Sequence, residues 1–310
     1  MGIVLVTGAN GFVGSALCNQ MRKKDIVFRQ TLRRQPTITQ IESSVVVGDI
    51  NDKTDWSQAL KNVTHVVHLA ARVHVLKDDS AEPLAEFVRI NVEGTLNLAR
   101  QAVNAGVRRF IFLSTIKVNG EETFDKPFTS DDKPAPMDPY AISKFRAEKG
   151  LGEIARQTGL ELVIIRPPLV YGKGVAGNFK RLIQLVRNDF PLPLGAVCNK
   201  RSLVYLENLC DLIMVCLCHP KAAGQTLLIA DGQDISTPDL LRLLAQVQGK
   251  TLRLISVPVN VLKLLGRISG HSKDVRKLLN NLQVDCSSTQ AILDWHPSFS
   301  LEQGIRRTVT

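Results

Sequence analysis

The sequence predicts an α/β chain: a doubly wound parallel sheet with a smaller, mainly helical C-terminal lobe. Three observations predict it. Over the first two thirds, short β-branched runs alternate with longer amphipathic stretches, the order of consecutive βαβ units. The short runs are apolar almost throughout, which suits strands covered on both faces. A glycine-rich turn follows the first run directly and opens the first helical stretch.

In order, residues 3–7, 26–32, 45–47, 63–69, 109–114 and 160–166 read as strands, with helices at 12–23, 82–105 and 138–158. Right-handed crossovers between parallel strands then fix most of the topology. The last third changes character. Helical patterns at 182–187, 206–218, 238–248, 259–268 and 272–282 are punctuated by Pro191, Pro193, Pro258 and Pro297, with one strand at 227–230. The expected division is a nucleotide-binding domain over 1–170, to which the chain returns near 203–230, and a substrate lobe over 171–310.

Composition narrows the function classes. A chain of 310 residues with 44% hydrophobic and 22% charged residues is neither disordered, collagen-like nor a disulfide-stapled miniprotein. The net charge of +10 is spread over pairs such as Lys23-Lys24, Arg33-Arg34, Arg108-Arg109 and Arg306-Arg307. No long basic run marks a nucleic-acid arm, and aromatics at 5% supply no stacking stripe. The charge suits anionic small molecules such as nucleotide phosphates. The six cysteines form no Cys-x-x-Cys pair and are not grouped with histidine, so no metal site is expected. Most lie in apolar runs, as buried thiols of a reducing compartment do. His65 and His68 flank a strand and read as packed or surface residues. The longest apolar stretch, 209–218, contains Asp211 and is far too short to span a membrane. With structure starting at Ile3, no room remains for a signal peptide. A cytoplasmic protein with no membrane or nucleic-acid partner is expected.

The motifs carry the chemistry. Gly8, Gly11 and Gly14 stand three apart between strand and helix, within Thr7-Gly8-Ala9-Asn10-Gly11-Phe12-Val13-Gly14. The first permits a tight turn, the second lets backbone approach a pyrophosphate, and the third lets helix and strand pack closely. An NAD binder places an acid after the second strand, about 20 residues past the glycines, to hold the ribose 2′-hydroxyl. No acid occurs from 26 to 41; Arg33 or Arg34 stands there instead, which leans towards the 2′-phosphate of NADP. Tyr140 and Lys144, four apart on a helix, share a face. An ammonium beside a phenol favours the phenolate and makes Tyr140 a general base or acid. Thr115 stands 25 residues earlier, at the end of the fifth strand.

Taken together, residues 7–14, Asp49-Ile50, Leu69-Ala70-Ala71, 91–95, 114–120, 140–144, 166–172 and 293–297 resemble the extended short-chain dehydrogenase/reductase family. Within it, the set looks closest to UDP-glucose 4-epimerase-like members and the 4-ketoreductases beside them. The resemblance covers essentially the whole chain and implies a Rossmann sheet. It also implies roles. Gly8, Asn10, Gly11, Phe12, Val13 and Gly14 would hold a pyrophosphate. Asp49 and Ile50 would meet adenine, and Leu69, Ala70, Ala71, Ser114 and Pro167 would line the cofactor. Thr115 would be the catalytic hydroxyl, Tyr140 the base, and Lys144 a ligand of the nicotinamide ribose. Lys117, Asn178 and Arg201 would lie on the UDP-sugar side. The family's 4,6-dehydratases carry an Asp-Glu pair after the catalytic threonine. Ile116 and Lys117 occupy those positions, so sugar dehydration is rejected. Asn119 replaces a tyrosine of the family pattern.

The resemblance therefore implies hydride transfer at C4 of a UDP-hexose or UDP-N-acetylhexosamine, by a 4-epimerase retaining NAD. The alternative is an NADPH-dependent 4-ketoreductase of a UDP-4-keto-6-deoxy-N-acetylhexosamine. A non-catalytic dinucleotide sensor would have lost Tyr140 or Lys144. A homodimer through helices 82–105 and 138–158 is also implied.

Overall fold

The computed structural model describes residues 2–34, 43–73, 83–188, 190–270 and 272–309. In chain order the elements begin with β1 (Ile3–Thr7), α1 (Phe12–Lys23), β2 (Phe28–Leu32), β3 (Ser44–Val46), α2 (Ser57–Leu60) and β4 (Val63–His68). Next come α3 (Pro83–Val88), a π-type turn (Arg89–Glu93), α4 (Gly94–Asn104), β5 (Arg109–Leu113) and a 3-10 turn (Ile116–Val118). They are followed by α5 (Pro139–Thr158), β6 (Glu161–Arg166), β7 (Leu169–Tyr171), α6 (Gly177–Arg187), β8 (Leu203–Tyr205) and α7 (Leu206–Cys218). The chain continues with β9 (Thr226–Leu228), α8 (Thr237–Gln248), α9 (Val259–Ile268), α10 (Ser272–Leu279), α11 (Ser287–Leu293) and α12 (Leu301–Val309).

Seven strands form one parallel sheet in the order β3-β2-β1-β4-β5-β6-β9. The order reverses between β1 and β4, the switch point at which such sheets bind ligands. Period-two alternation sorts side chains between two buried layers. Val4, Val6, Val67 and Ile111 pack with Leu17 and Met21 of α1 and Leu209 and Ile213 of α7. Leu5, Val66, Phe110 and Phe112 face the other way, onto Leu98 and Ala102 of α4 and Ala147 and Leu151 of α5. Both faces are therefore covered, which is why the strands read as unbroken apolar runs.

A second body of apolar packing gathers α6, α8, α9 and α12 around the two-stranded parallel pair β7–β8, with Tyr171 stacked on Phe179 at 5.2 Å. Buried Asp231 ties it to the main sheet. Its carboxylate accepts from the Tyr205 N–H (2.8 Å), Asn208 Nδ2 (2.8 Å) and Tyr171 Oη (2.7 Å). Burial pushes this carboxyl above its usual range despite those bonds.

Some elements differ from expectation. The stretch expected as one helix over 82–105 is broken by the π-type turn, which aims Asn91 inward. A wide turn of this kind gives a helix one extra residue and redirects a side chain. Strands β7 and β8 and helices α11 and α12 were not expected. Among the described residues no helix is long and apolar enough to cross a membrane.

Candidate active site

The glycine turn sits at the switch point. Gly8 has φ +67°, and a Cβ there would lie 2.7 Å from the Ala70 amide nitrogen. A Cβ on Gly14 would lie 2.1 Å from the Gly8 carbonyl oxygen. Turn, helix and the chain leaving β4 therefore close on one another only with glycine at both places. The Gly11 N–H donates to the Gly8 carbonyl at 2.9 Å. Gly11 caps α1 without a side-chain hydrogen bond, which leaves first-turn N–H groups for an anion. Asn10 and Gly11 are exposed beside it, and Phe12 and Val13 lean on the core.

Beneath the turn lies a buried chain of polar groups. The Thr7 hydroxyl accepts from the Leu69 and Ala70 N–H groups, both at 3.2 Å. Its own proton then goes to His68 Nδ1, 2.7 Å away, so the imidazole proton sits on Nε2 and points to the Thr95 hydroxyl at 2.9 Å. Burial, helped by the Lys144 charge, pushes His68 down to about 3, so it is neutral. These contacts fix 69–71, the segment expected to line the cofactor. Thr7, His68 and Thr95 were not singled out as site residues.

Past β2, the Arg33 guanidinium pairs with the Asp49 carboxylate, both exposed. That hydrogen bond holds Asp49 below the usual carboxylate range. Ile50 is half-buried, and its Cγ2 would meet a Cβ placed on Gly94 at 2.6 Å. Glycine at the start of α4 thus lets this segment approach.

At the end of β5, Ser114 is buried and its hydroxyl has no hydrogen-bond partner among the described residues. Thr115 is half-buried and extended, and its Oγ1 accepts from the Lys117 N–H at 3.3 Å. Ile116 is buried and donates its N–H to the carbonyl of Pro167, itself buried. The Lys117 ammonium is drawn to Asp138, the N-cap of α5, which accepts from the Ala141 N–H at 2.7 Å. Lys117 therefore anchors the helix that bears Tyr140 and Lys144. Asn119 is also accounted for: it accepts from Arg166 Nη1 (2.9 Å) and donates to the Thr129 carbonyl (2.8 Å), one amide bridging the two.

On α5, Tyr140 is half-buried with its ring edge towards Phe87, 6.2 Å between centroids. Lys144 is buried with its Nζ 4.1 Å above the Phe112 ring of β5, a cation–π contact. The Ser143 hydroxyl donates to the Tyr140 carbonyl (2.7 Å) and accepts from Asn91 Nδ2 (3.0 Å). Asn91 also exchanges bonds with the Arg72 backbone, so the π-type turn links α5 to the loop after β4. A buried Glu148–Arg166 pair, bonded at 3.0 and 2.6 Å, fastens the far side of the helix to β6. The expected fall in the Tyr140 pKa is not met. Burial, then the Asp138 charge, pushes the phenol above its ordinary value. Burial pushes Lys144 down to about 7, partly opposed by Glu148.

The remaining candidates lie on the second body. Asn178 is exposed at the start of α6. Arg201 is half-buried, its backbone bridged to Ile235 and its Nη1 donating to the Asn280 carbonyl at 3.1 Å. Among the described residues no carboxylate pairs with it, and burial lowers its pKa.

A phosphate-type loop at the switch point of a seven-stranded parallel sheet, with a tyrosine–lysine pair across from it, defines a dinucleotide-binding enzyme of the doubly wound class. The chain belongs to the NAD dependent epimerase/dehydratase family, whose model matches residues 4–230. It is 45% identical over 309 residues to UDP-glucose 4-epimerase of Vibrio cholerae, covering 98% of this chain and 94% of that protein. It is 28% identical over 325 residues to N-acetyl-alpha-D-glucosaminyl-diphospho-ditrans,octacis-undecaprenol 4-epimerase of Escherichia coli O157:H7, covering 99% and 94%. The crystal structure of UDP-glucuronic acid 4-epimerase from Bacillus cereus in complex with NAD matches the fold with a TM-score of 0.78 at 22% identity, over 99% of this chain and 97% of that one.

Proposed function

We propose that the protein is a UDP-sugar 4-epimerase that retains NAD and interconverts the two configurations at C4 of a UDP-hexose or UDP-N-acetylhexosamine. One observation carries this reading. Lys144 of α5 lies over Phe112 of β5, so the Tyr140–Lys144 helix packs at the strand end where Thr115 stands, and Ile116 and the Asp138-bound Lys117 follow instead of two acids. That set serves proton and hydride movement at one carbon and lacks the carboxyl pair that dehydration needs. The V. cholerae and E. coli relatives, both named as 4-epimerases, support it.

The residues fit a dinucleotide. The Gly8–Gly14 turn and the uncapped start of α1 suit its pyrophosphate, and the unpartnered Ser114 hydroxyl suits a polar group at its nicotinamide end. Held by these residues, the dinucleotide would supply reversible hydride chemistry at C4. Tyr140 Oη takes the proton of the sugar 4-hydroxyl and later gives it back, while the Thr115 hydroxyl bonds the same oxygen. Burial opposes the phenolate, so ionisation of Tyr140 needs positive charge. Lys144, one turn further along the same helix face, is a source of it. Arg201, free of any carboxylate partner among the described residues, suits a diphosphate, and Asn178 of α6 lies on the same body. Lys117 serves as an anchor of Asp138 rather than as a substrate contact.

The Arg33–Asp49 pair supports NAD over NADP, against the lean of the sequence. The carboxylate neutralises the guanidinium and would repel a 2′-phosphate. The same proposal holds 1–170, with the return over 203–230, as the dinucleotide domain and the remainder as the substrate lobe. It includes a cytoplasmic setting, which the absence of disulfides among the described residues suits, and a homodimer through α4 and α5. The test is to purify the protein without added cofactor, denature it, identify any released nucleotide, and assay UDP-glucose/UDP-galactose interconversion. Stoichiometric NAD or NADH with epimerisation upholds the proposal. An exchangeable site preferring NADPH overturns it in favour of the 4-ketoreductase.

A further inference from the structure

Helix α9 is apolar on two faces, and the fold uses only one. Leu262 and Gly266 face inward, where a Cβ on Gly266 would lie 2.8 Å from Val275 of α10. The opposite side carries Val261, Leu264, Leu265 and Ile268, which are 43%, 55%, 55% and 75% exposed. Their spacing of three, four and seven makes a continuous stripe about 100° wide. Packing inside the lobe does not require it. Just ahead of α9, where Leu192 and Leu254 bridge, Phe190 and Ile255 add 70% and 52% exposed apolar surface.

The charge around the stripe is one-sided. From 250 to 281 there are seven Lys or Arg residues and one acid, Asp274, so this segment holds six of the chain's ten net positive charges. Lys263 and Arg267 follow each other on the flank of α9 beside Leu264, exposed, and Arg276 and Lys277 are exposed on α10. An amphipathic helix with an apolar stripe and a basic flank lies in the plane of an anionic bilayer: the stripe enters the acyl boundary and the basic groups reach the headgroups. Two copies of this chain meeting through the same face would bring six net positive charges against six, which disfavours a second copy as its cover.

We propose that the exposed face of α9, with the basic flank it shares with α10, docks the protein on an anionic phospholipid surface. The attachment is peripheral.

The experiment is co-sedimentation of the full chain with vesicles of phosphatidylcholine alone and of equal parts phosphatidylcholine and phosphatidylglycerol, at low and high salt. The full chain is expected to pellet with the anionic vesicles at low salt, to leave them as salt rises, and to ignore the neutral ones. A Leu264→Asp/Ile268→Asp variant and a Lys263→Glu/Arg267→Glu variant, both altered only at exposed positions, should each bind at least roughly tenfold more weakly. Their circular dichroism and epimerase activity towards UDP-sugar should be unchanged. Absence of pelleting at low salt overturns the proposal, as does equal binding to neutral vesicles or undiminished binding by both variants. A solution dimer that Leu264→Asp/Ile268→Asp converts to monomer, read by light scattering without lipid, overturns it in favour of a second copy.

Discussion

Replacing Glu148 by Ala is the most direct assault on the support of the active-site helix. The carboxylate is 4% exposed and accepts two hydrogen bonds from an Arg166 guanidinium that is 6% exposed. After the substitution, Asn119 is the one side chain among the described residues still bonded to that guanidinium, through Nη1 at 2.9 Å. Removing one partner of a buried pair strands the other charge and costs about 3–5 kcal/mol. Against a total stability of about 5–15 kcal/mol, that is a large share. With a urea slope of about 3 kcal/mol/M the midpoint should fall by roughly 1–1.7 M. The two tryptophans report from opposite sides of the sheet, since Trp56 is buried with α4 and α5 and Trp295 with α1 and α7. Urea unfolding followed by their fluorescence is therefore the assay. The control is Glu148→Leu with Arg166→Met, which removes both charges at similar volume. Asn119 Oδ1 then lacks its donor, at about 1–3 kcal/mol. The double variant should still recover about 2 kcal/mol over Glu148→Ala, the difference between the middles of those two ranges. A loss below about 1 kcal/mol in the single variant, or no recovery in the double, would refute the view that an unpaired buried charge sets the cost.

Tyr140→Phe should lower turnover by about 10²–10⁴-fold while the purified protein keeps its dinucleotide; unchanged turnover would exclude Tyr140 as the proton carrier. Ser114→Ala should leave the dinucleotide-free protein as stable or more so, because the hydroxyl is buried without a partner, yet weaken dinucleotide binding by about tenfold. Calorimetric binding and thermal unfolding, run side by side, check both signs. His68 is pushed down to about 3 by burial, below its unfolded value of about 6.5. Below about 6.5 the unfolded chain takes up the proton first, so this group's contribution is complete above that pH and is lost as pH falls towards 3, at about 1.4 kcal/mol per pH unit. Urea titrations between pH 7.5 and 5 should show that slope flattened in His68→Gln; an equal slope in both proteins would assign it to other groups.

What the sequence disclosed was what is local or periodic. Gly8, Gly11 and Gly14 lie within one turn of chain, and Tyr140 and Lys144 one helical turn apart, so spacing alone carries their geometry. The apolar runs of β1, β4, β5 and β6 disclosed a sheet buried on both faces. Pairings between polar groups far apart in the chain left no such trace. His68 meets Thr7 across 61 residues and Thr95 across 27. Glu148 meets Arg166 across 18 and Asn119 meets Arg166 across 47. No periodicity marks such partners, and each residue alone reads as ordinary polar surface. Arg33 likewise shows what one partner leaves out: taken alone it suggests a 2′-phosphate, and in the fold its guanidinium pairs with Asp49, 16 residues on.

The Asp231 hub bears on the order in which the molecule is completed. Tyr171 and Asn208 both spend hydrogen bonds on it, and both also reach the last stretch of chain, Tyr171 to the Leu301 carbonyl across 130 residues and Asn208 to the Phe299 carbonyl across 91. During synthesis the β7–β8 pair therefore waits, with its polar groups incompletely satisfied, until α12 has left the ribosome. The sheet side of the hub, where Asp231 follows β9, waits with it. Sheet and lobe thus close in one late, cooperative step that couples segments from distant parts of the chain, a slow topology by its nature. A nascent chain held short of α12 should remain sensitive to protease across both bodies, because Phe299 and Leu301 are among the residues that hold the two together.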